Sequence, residues 1–368
     1  MEQFDVIIVG GGPAGSTLAA RLPKHVKALV IDQRYLLTEE RLYEREKSCG
    51  GLLDETAQKV VAQLGLSLSR NVMVEPQVFA IRAIDFESQM ERYYQRKYVN
   101  IDRTQFDADL LRRAAARPRV TVWQGATARG ICEGPHAVSV KVRKATGESV
   151  TVYGRYLVGA DGAGSMVRSY VEKKGKKHEI RRYASIQEWH PMPKPLPYYV
   201  ATFHEAVTDF YSWVIPEGDQ MIIGSAIPAG PDVQRRFDQF KVDLASKGFD
   251  VSTPLKRRGA IILRPRFWGS VTGGSGRIFL VGEAAGLISP SSCEGISFAL
   301  RSGAGLAGAL SWQASGVAVS RMRYEKALLP LKMSIALKSL KSPIMYGKTW
   351  RALVFKSRAL SISMYKNE

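Results

Sequence analysis

The sequence predicts an α/β protein: a Rossmann-type dinucleotide-binding domain with an inserted antiparallel sheet and a C-terminal helical segment. Three observations predict it. The chain opens on a short apolar strand that runs straight into G-x-G-x-x-G. The next strand ends in an acid, Asp32. Two later apolar strands, in "GRYLVGADGAGSMVR" and "RIFLVGEAAGLISPSSCEGISFAL", likewise end in an acid set among glycine and alanine.

The first element, "FDVIIVGGGPAGSTLAARL", begins with a β-branched run at residues 4–9 that is too short for a helix and reads as a buried parallel strand. Gly10 permits the tight turn, Gly12 lets a pyrophosphate approach the backbone, and Gly15 lets helix and strand pack closely. The free N–H groups and positive dipole end of the helix complete a phosphate site. The strand in "VKALVIDQR" then places the Asp32 carboxylate to accept adenosine ribose hydroxyls. The spacing fits a dinucleotide and does not separate NAD from FAD. A second glycine cluster, "VTGGSGRI", has no strand before it and reads as a hairpin turn.

A length of 368 residues favours two intertwined domains over one core. The chain is 45% hydrophobic and 24% charged, with no low-complexity tract. Its three cysteines, Cys49, Cys132 and Cys293, form neither a metal-ligand spacing nor a disulfide framework, so no metal site is expected and a reduced cytoplasmic compartment is the default. No signal-peptide pattern opens the sequence, and the uncharged run at 302–320 lacks the bulk of a membrane span.

The net charge of +19 is unusual. Part sits in "KKGKKHEIRR", and part in the tail, where Lys332, Lys338, Lys341, Lys348, Arg351, Lys356, Arg358 and Lys366 face Glu368 alone. Nucleic acid is not supported, because no helix-turn-helix, zinc-finger or RNP-type pattern is present. Two readings of the tail stay open: plain solubility, and peripheral contact with an anionic membrane at its inner face. The oligomeric state is not legible.

Taken together, the glycine triplet, the Asp161-Gly162 motif and Gly282-Glu283 resemble the FAD-dependent monooxygenase superfamily, the p-hydroxybenzoate-hydroxylase-like flavoproteins. The family's last motif is G-D, so Glu283 is a departure that lengthens the acid by one methylene. The resemblance implies FAD as cofactor, with Glu283 on the ribityl chain and the helix after Gly295 and Ile296 facing the flavin. "VNIDRTQFDADLLRRA" looks like the family's R-x-x-F-D-x-x-L helix, which makes Arg103 a flavin contact. The implied cofactor contacts are Gly10, Gly12, Pro13, Ala14 and Gly15; Asp32, Gln33 and Arg34; Cys49, Gly50 and Arg103; Asp161 and Gly162; and Gly282, Glu283, Gly295 and Ile296. NAD(P)H or another electron donor would dock only transiently.

Two stretches resemble the geranylgeranyl-reductase-like branch, which carries P-x-x-C-G-G-G and Y-x-W-x-F-P. "KSCGGLL" matches C-G-G, with Glu46 in place of the Pro and Leu52 in place of the last Gly. "DFYSWVIPEGD" matches at Tyr211, Trp213 and Pro216, with Ile215 for Phe. Alternation puts Tyr211, Trp213 and Ile215 on one strand face, and in this branch that face roofs the substrate cavity. The resemblance implies reduction of carbon–carbon double bonds in an apolar, prenyl or polyunsaturated substrate, with a proton from solvent, Cys49 or Tyr211. The catalytic candidates are therefore Cys49, Tyr211 and Trp213, while Cys132 and Cys293 are read as structural. Flavin halogenases, with W-x-W-x-I-P, and aromatic monooxygenases share much of this frame and remain alternatives, and so does a non-catalytic flavin-binding adaptor. The expected layout is an FAD-binding domain at 1–65, 100–175 and 273–330, a substrate domain at 66–99 and 176–272, and a basic helical segment at 331–368 broken near Pro343.

Overall fold

The structure is a computed structural model that describes residues 2–175, 177–313 and 316–364. Its first large sheet has a parallel centre. The strands Ile278–Leu280, Ser149–Gly159, Gln3–Val9, Ala28–Ile31 and Val120–Trp123 lie side by side in that order and run parallel. The β-branched run of the first strand belongs there because both of its faces are covered, and Ile7 and Ile8 have no exposure at all. The helices Pro13–Arg21, Arg103–Ala115 and Ile296–Ala309 pack together beside this sheet. An antiparallel meander, Thr127–Glu133 and Val138–Arg143, folds back onto the long strand Ser149–Gly159. In "VSVKVR" the alternate residues Val138, Val140 and Val142 are wholly buried in the same core, as period-2 patterning requires. The "VTGGSGRI" cluster forms a hairpin, with Gly274 opposite Phe279 and Ser275 opposite Ile278.

The second sheet takes the order Lys256–Arg264, Arg181–Pro191, Gln220–Pro228, Ser212–Glu217, Tyr199–Phe203, Ala80–Asp85, Met90–Gln95 and Ser361–Ile362. It is antiparallel except for one parallel pair, Tyr199–Phe203 with Ala80–Asp85, because those two strands come from separate stretches of chain. Alternation gives it two faces. Val200, Val214 and Ile223 point to one face, where Phe237, Phe240 and Leu244 of the helix Val233–Ser246 complete a buried core. Trp189, Tyr199, Trp213 and Ile215 point to the other.

The C-terminal segment departs from its sequence reading. One helix runs through Arg321–Tyr346, across residue 331 and through both Pro330 and Pro343, and it ends only at Gly347. Leu328, Leu331 and Ile335 bury themselves against the first domain's core, and that packing outweighs the local cost of the prolines. The following helix, Lys348–Ser357, buries Phe355 against the second sheet, and Ser361–Ile362 then adds an edge strand to it. The tail is integral to both sheets.

Candidate active site

A cavity of ≈ 770 Å³ separates the two domains, and its wall starts at the glycine turn. Gly10 holds φ +104°, where a side chain would collide with the Ala160 carbonyl. Gly12 caps the helix in an extended conformation and Pro13 takes its first position, so the next N–H groups lack intrahelical acceptors. Gly10, Gly12, Pro13 and Ala14 line the cavity. Gly15 does not; a Cβ there would strike the Gly10 carbonyl, so its role is the close packing of helix on turn.

Asp32, Gln33 and Arg34 also line the wall, but Asp32 is heavily engaged. Its Oδ2 accepts from Gly11 N at 2.7 Å and from Arg34 Nη2 at 3.0 Å, and its Oδ1 from Arg34 N and Nε at 2.8 and 3.1 Å. A ribose hydroxyl must therefore share this carboxylate with Arg34. The chain of charge continues: Arg34 Nη1 donates to Asp107 Oδ2 at 2.7 Å, and Arg103 Nε donates to Asp107 Oδ1 at 2.8 Å. Burial pushes the Asp107 carboxyl up, but Arg103 and Arg34 outweigh it and hold the group below the ordinary carboxylate range. From Arg103, Nη1 then reaches Cys49 Sγ at 3.3 Å. Four charged side chains thus link the nucleotide turn to the thiol.

Midway along, Asp161 accepts from Ser165 Oγ at 2.5 Å and Met166 N at 2.9 Å. Burial pushes its carboxyl up. It therefore organises the following turn, leaving Gly162, at φ +72° with open space where a Cβ would stand, to face the cavity. Gly282 and Glu283, at the end of the neighbouring parallel strand, line the same cavity, with Gly295 and Ile296 at the start of the helix Ile296–Ala309. Glu283 is not the isolated acid that its sequence surroundings imply. Its Oε1 accepts from Leu263 N at 3.0 Å across the domain boundary, and its Oε2 lies 3.4 Å from Lys47 Nζ.

The far wall joins the two stretches that stood apart in sequence. A Cβ on Gly50 would collide with Ile215 Cδ1, so the C-G-G loop sits directly against the Y-x-W-x-I strand. Gly51, at φ +64°, approaches the Ile101 carbonyl where no side chain fits. Tyr211 and Trp213 line the same wall, their ring centroids 5.7 Å apart. The Tyr211 hydroxyl donates to the Ser292 carbonyl at 2.9 Å, and burial pushes its ionisation well up. Burial does the same to Cys293. Tyr98 and Tyr199 extend the aromatic lining.

Several residues here escaped the sequence reading. Asp107 stood in plain view as the acid of "RTQFDADLL", and its burial between two arginines was the missing information. Lys47 had only its nearness to C-G-G. Tyr98, Tyr199 and Gln187 lie in no motif; strand pairing brings Tyr199 and Gln187 to the wall, and Tyr98 reaches it from the loop before Val99–Asn100.

The chain's geometry fits FAD: a helix terminus with free donors, glycines that leave space at the wall, and one cavity lined both by that turn and by Tyr98, Tyr199, Tyr211 and Trp213. These features define a flavoprotein. Residues 3–244 match the family model described as the FAD binding domain, so the chain belongs to that family, within the FAD-dependent monooxygenase superfamily. Protein CbrA of Shigella dysenteriae serotype 1 is 35% identical over 367 residues, spanning 100% of both chains. A geranylgeranyl bacteriochlorophyll reductase-like protein from Thermoplasma acidophilum superposes with a TM-score of 0.76 at 20% identity, covering 97% of this chain and 90% of that one. PqsL of Pseudomonas aeruginosa, described as a probable FAD-dependent monooxygenase, does so with a TM-score of 0.67 at 16% identity, covering 97% and 99%. Among the described residues no cluster of metal-ligating side chains occurs, and no helix is long and apolar enough to cross a membrane.

Proposed function

We propose that this FAD-dependent oxidoreductase reduces a carbon–carbon double bond in an apolar, prenyl-like or polyunsaturated substrate. The observation that carries this reading is the contact of Gly50 with Ile215, which unites C-G-G and Y-x-W-x-I in one wall at the aromatic end of the cavity. FAD, when bound and reduced by transiently docked NAD(P)H or another donor, supplies a hydride to one alkene carbon. The second alkene carbon takes a proton, so the π bond gives way to two C–H bonds. Cys49 is better placed to give that proton than Tyr211. Arg103 Nη1 holds Sγ at the cavity wall, whereas the buried Tyr211 hydroxyl is held by Ser292 and resists ionisation. Tyr211 and Trp213 orient the substrate and exclude water.

The same reading brings the protein to an anionic membrane surface, where an apolar substrate resides. Met333, Leu337, Leu340 and Ile344 form an exposed stripe at helical spacing, and the exposed Trp350, Leu353 and Val354 follow on the next helix. Lys341, Lys348, Lys356 and Arg358 stand exposed among them.

The test is anaerobic. Photoreduced protein should be reoxidised by a polyprenyl alkene without oxygen, giving the saturated product. Substrate turnover that begins only when dioxygen is admitted would replace this reading with hydroxylation or halogenation, and no turnover of either kind would favour a flavin-binding adaptor.

A further inference from the structure

Two buried N–H donors of the second sheet belong to side chains that line the cavity, and they find no acceptor among the described residues. Gln187 and Trp213 sit on different strands, yet both pair with Gly224 on the strand between them. Residues opposed across antiparallel strands project to the same face. Gly224 contributes no side chain, and the Trp213 indole occupies that space: a Cβ on Gly224 would stand 2.5 Å from both Nε1 and Cε2. The indole therefore extends across the sheet towards Gln187.

Gln187 is wholly buried and Trp213 is 7% exposed. Ser48, next to Cys49 in the C-G-G loop, donates to Gln187 Oε1 and so fixes the amide. Gln187 Nε2 and Trp213 Nε1 are left without acceptors among the described residues, although both side chains line the cavity. Buried donors are almost always paired, because an unmade bond costs the full desolvation of the group. Glu46 also lines this wall with an unbonded oxygen, but Lys256 and Arg258 form ion pairs with it. The Gln187–Trp213 pair has no such compensation.

Resting on the reductase reading, we infer that Gln187 Nε2 and Trp213 Nε1 form a two-donor subsite for a neutral carbonyl oxygen of the substrate. A carbonyl has two lone pairs and matches two neutral N–H donors. The substrate class narrows to an apolar chain bearing a ketone, ester or quinone-type carbonyl, anchored by this pair while its alkene lies in the aromatic part of the cavity.

The experiment measures binding to the oxidised, FAD-loaded protein, so it needs no turnover. Geranylacetone and the hydrocarbon that lacks only its carbonyl oxygen are titrated against the change in flavin absorbance. The ketone should bind wild type about tenfold more tightly. Gln187→Leu and Trp213→Phe should each bring the ratio of ketone to hydrocarbon affinity close to one while flavin content stays within about twofold; the ratio is the readout because Trp213 also orients the substrate. Two variants on separate strands guard against one failing to fold. Equal binding of the two probes, or binding of neither, overturns the inference, as expected if a water satisfies both donors. So does loss of flavin with an unchanged probe ratio, which would assign the donors to the cofactor. A preserved ketone preference without anaerobic reduction would sink the reductase reading alone. Anaerobic alkene reduction without any ketone preference would sink the subsite alone.

Discussion

Arg103 Nη1 lies 3.3 Å from Cys49 Sγ, and the same guanidinium is anchored through Nε to Asp107. Cys49 lines the cavity, so this contact fixes its thiol at the wall where the substrate lies. Cys49→Ala should therefore lower the rate of anaerobic alkene reduction by about 10²-fold while FAD stays bound. Arg103→Lys should lower it by a smaller factor, since lysine cannot serve both partners at once. Rapid-reaction traces of flavin reoxidation check both. An unchanged rate in Cys49→Ala would transfer the proton to solvent.

Asp107 gives the site a pH dependence with a definite sign. Its carboxyl is depressed in the folded protein by Arg103 and Arg34. The stability it contributes is present above the ordinary carboxylate range and is lost as pH falls through the lower, folded value. Thermal melting should fall more steeply with acidification in wild type than in Asp107→Asn, which starts lower because two buried arginines lose their shared anion.

The contact of Gly50 with Ile215 predicts a coupled pair. Gly50→Ala places a methyl group against Ile215 Cδ1 and should lower activity several-fold. Ile215→Val removes that terminal methyl and should restore part of the loss in the double variant. Additive effects in the double-mutant cycle would mean that the two residues do not share a wall.

Much of this site was legible because its chemistry is local in sequence. Gly10, Gly12 and Gly15 sit within one turn, and the strand ending in Asp32 declares itself by its apolar run. The remainder depends on pairing between distant strands. Gln187 acquires meaning only when the register sets it beside Gly224, which Trp213 flanks from the other side. Glu283 could be seen to end a strand, but its bond to Leu263 N joins two domains and leaves no local trace. The tail departs for a related reason: the prolines mark a local break near Pro343, and only the burial of Leu331 and Ile335 against a distant core shows why the helix runs on to Tyr346.

Glu283 can be separated from a purely structural acid. Glu283→Gln retains an acceptor for Leu263 N and loses the charge facing Lys47. As a ribityl contact, the glutamine should weaken flavin binding by about tenfold, corresponding to roughly 1–2 kcal/mol, with little change in apoprotein melting. Collapsed melting at unchanged flavin affinity would reduce Glu283 to a domain clamp.

The C-terminal helices must be tested without removing them, because truncation would break the core. Leu331, Ile335 and Phe355 are buried, and the peptide carbonyl of Phe355 accepts from Arg92 Nε at 2.8 Å. Phe355→Ala alone should cost about 3–5 kcal/mol of stability. Membrane contact rests on the opposite face, where Leu340 is 73% and Trp350 59% exposed. Substituting Leu340, Trp350 and Leu353 by Ser leaves the buried face intact. Full-length protein should sediment with anionic vesicles and not with neutral ones, and binding should weaken with salt, since each cation near anionic lipid contributes about 1 kcal/mol. The triple variant should lose vesicle binding while remaining yellow and melting near wild type. A wild-type protein that stays in the supernatant at low salt would leave this face as ordinary surface.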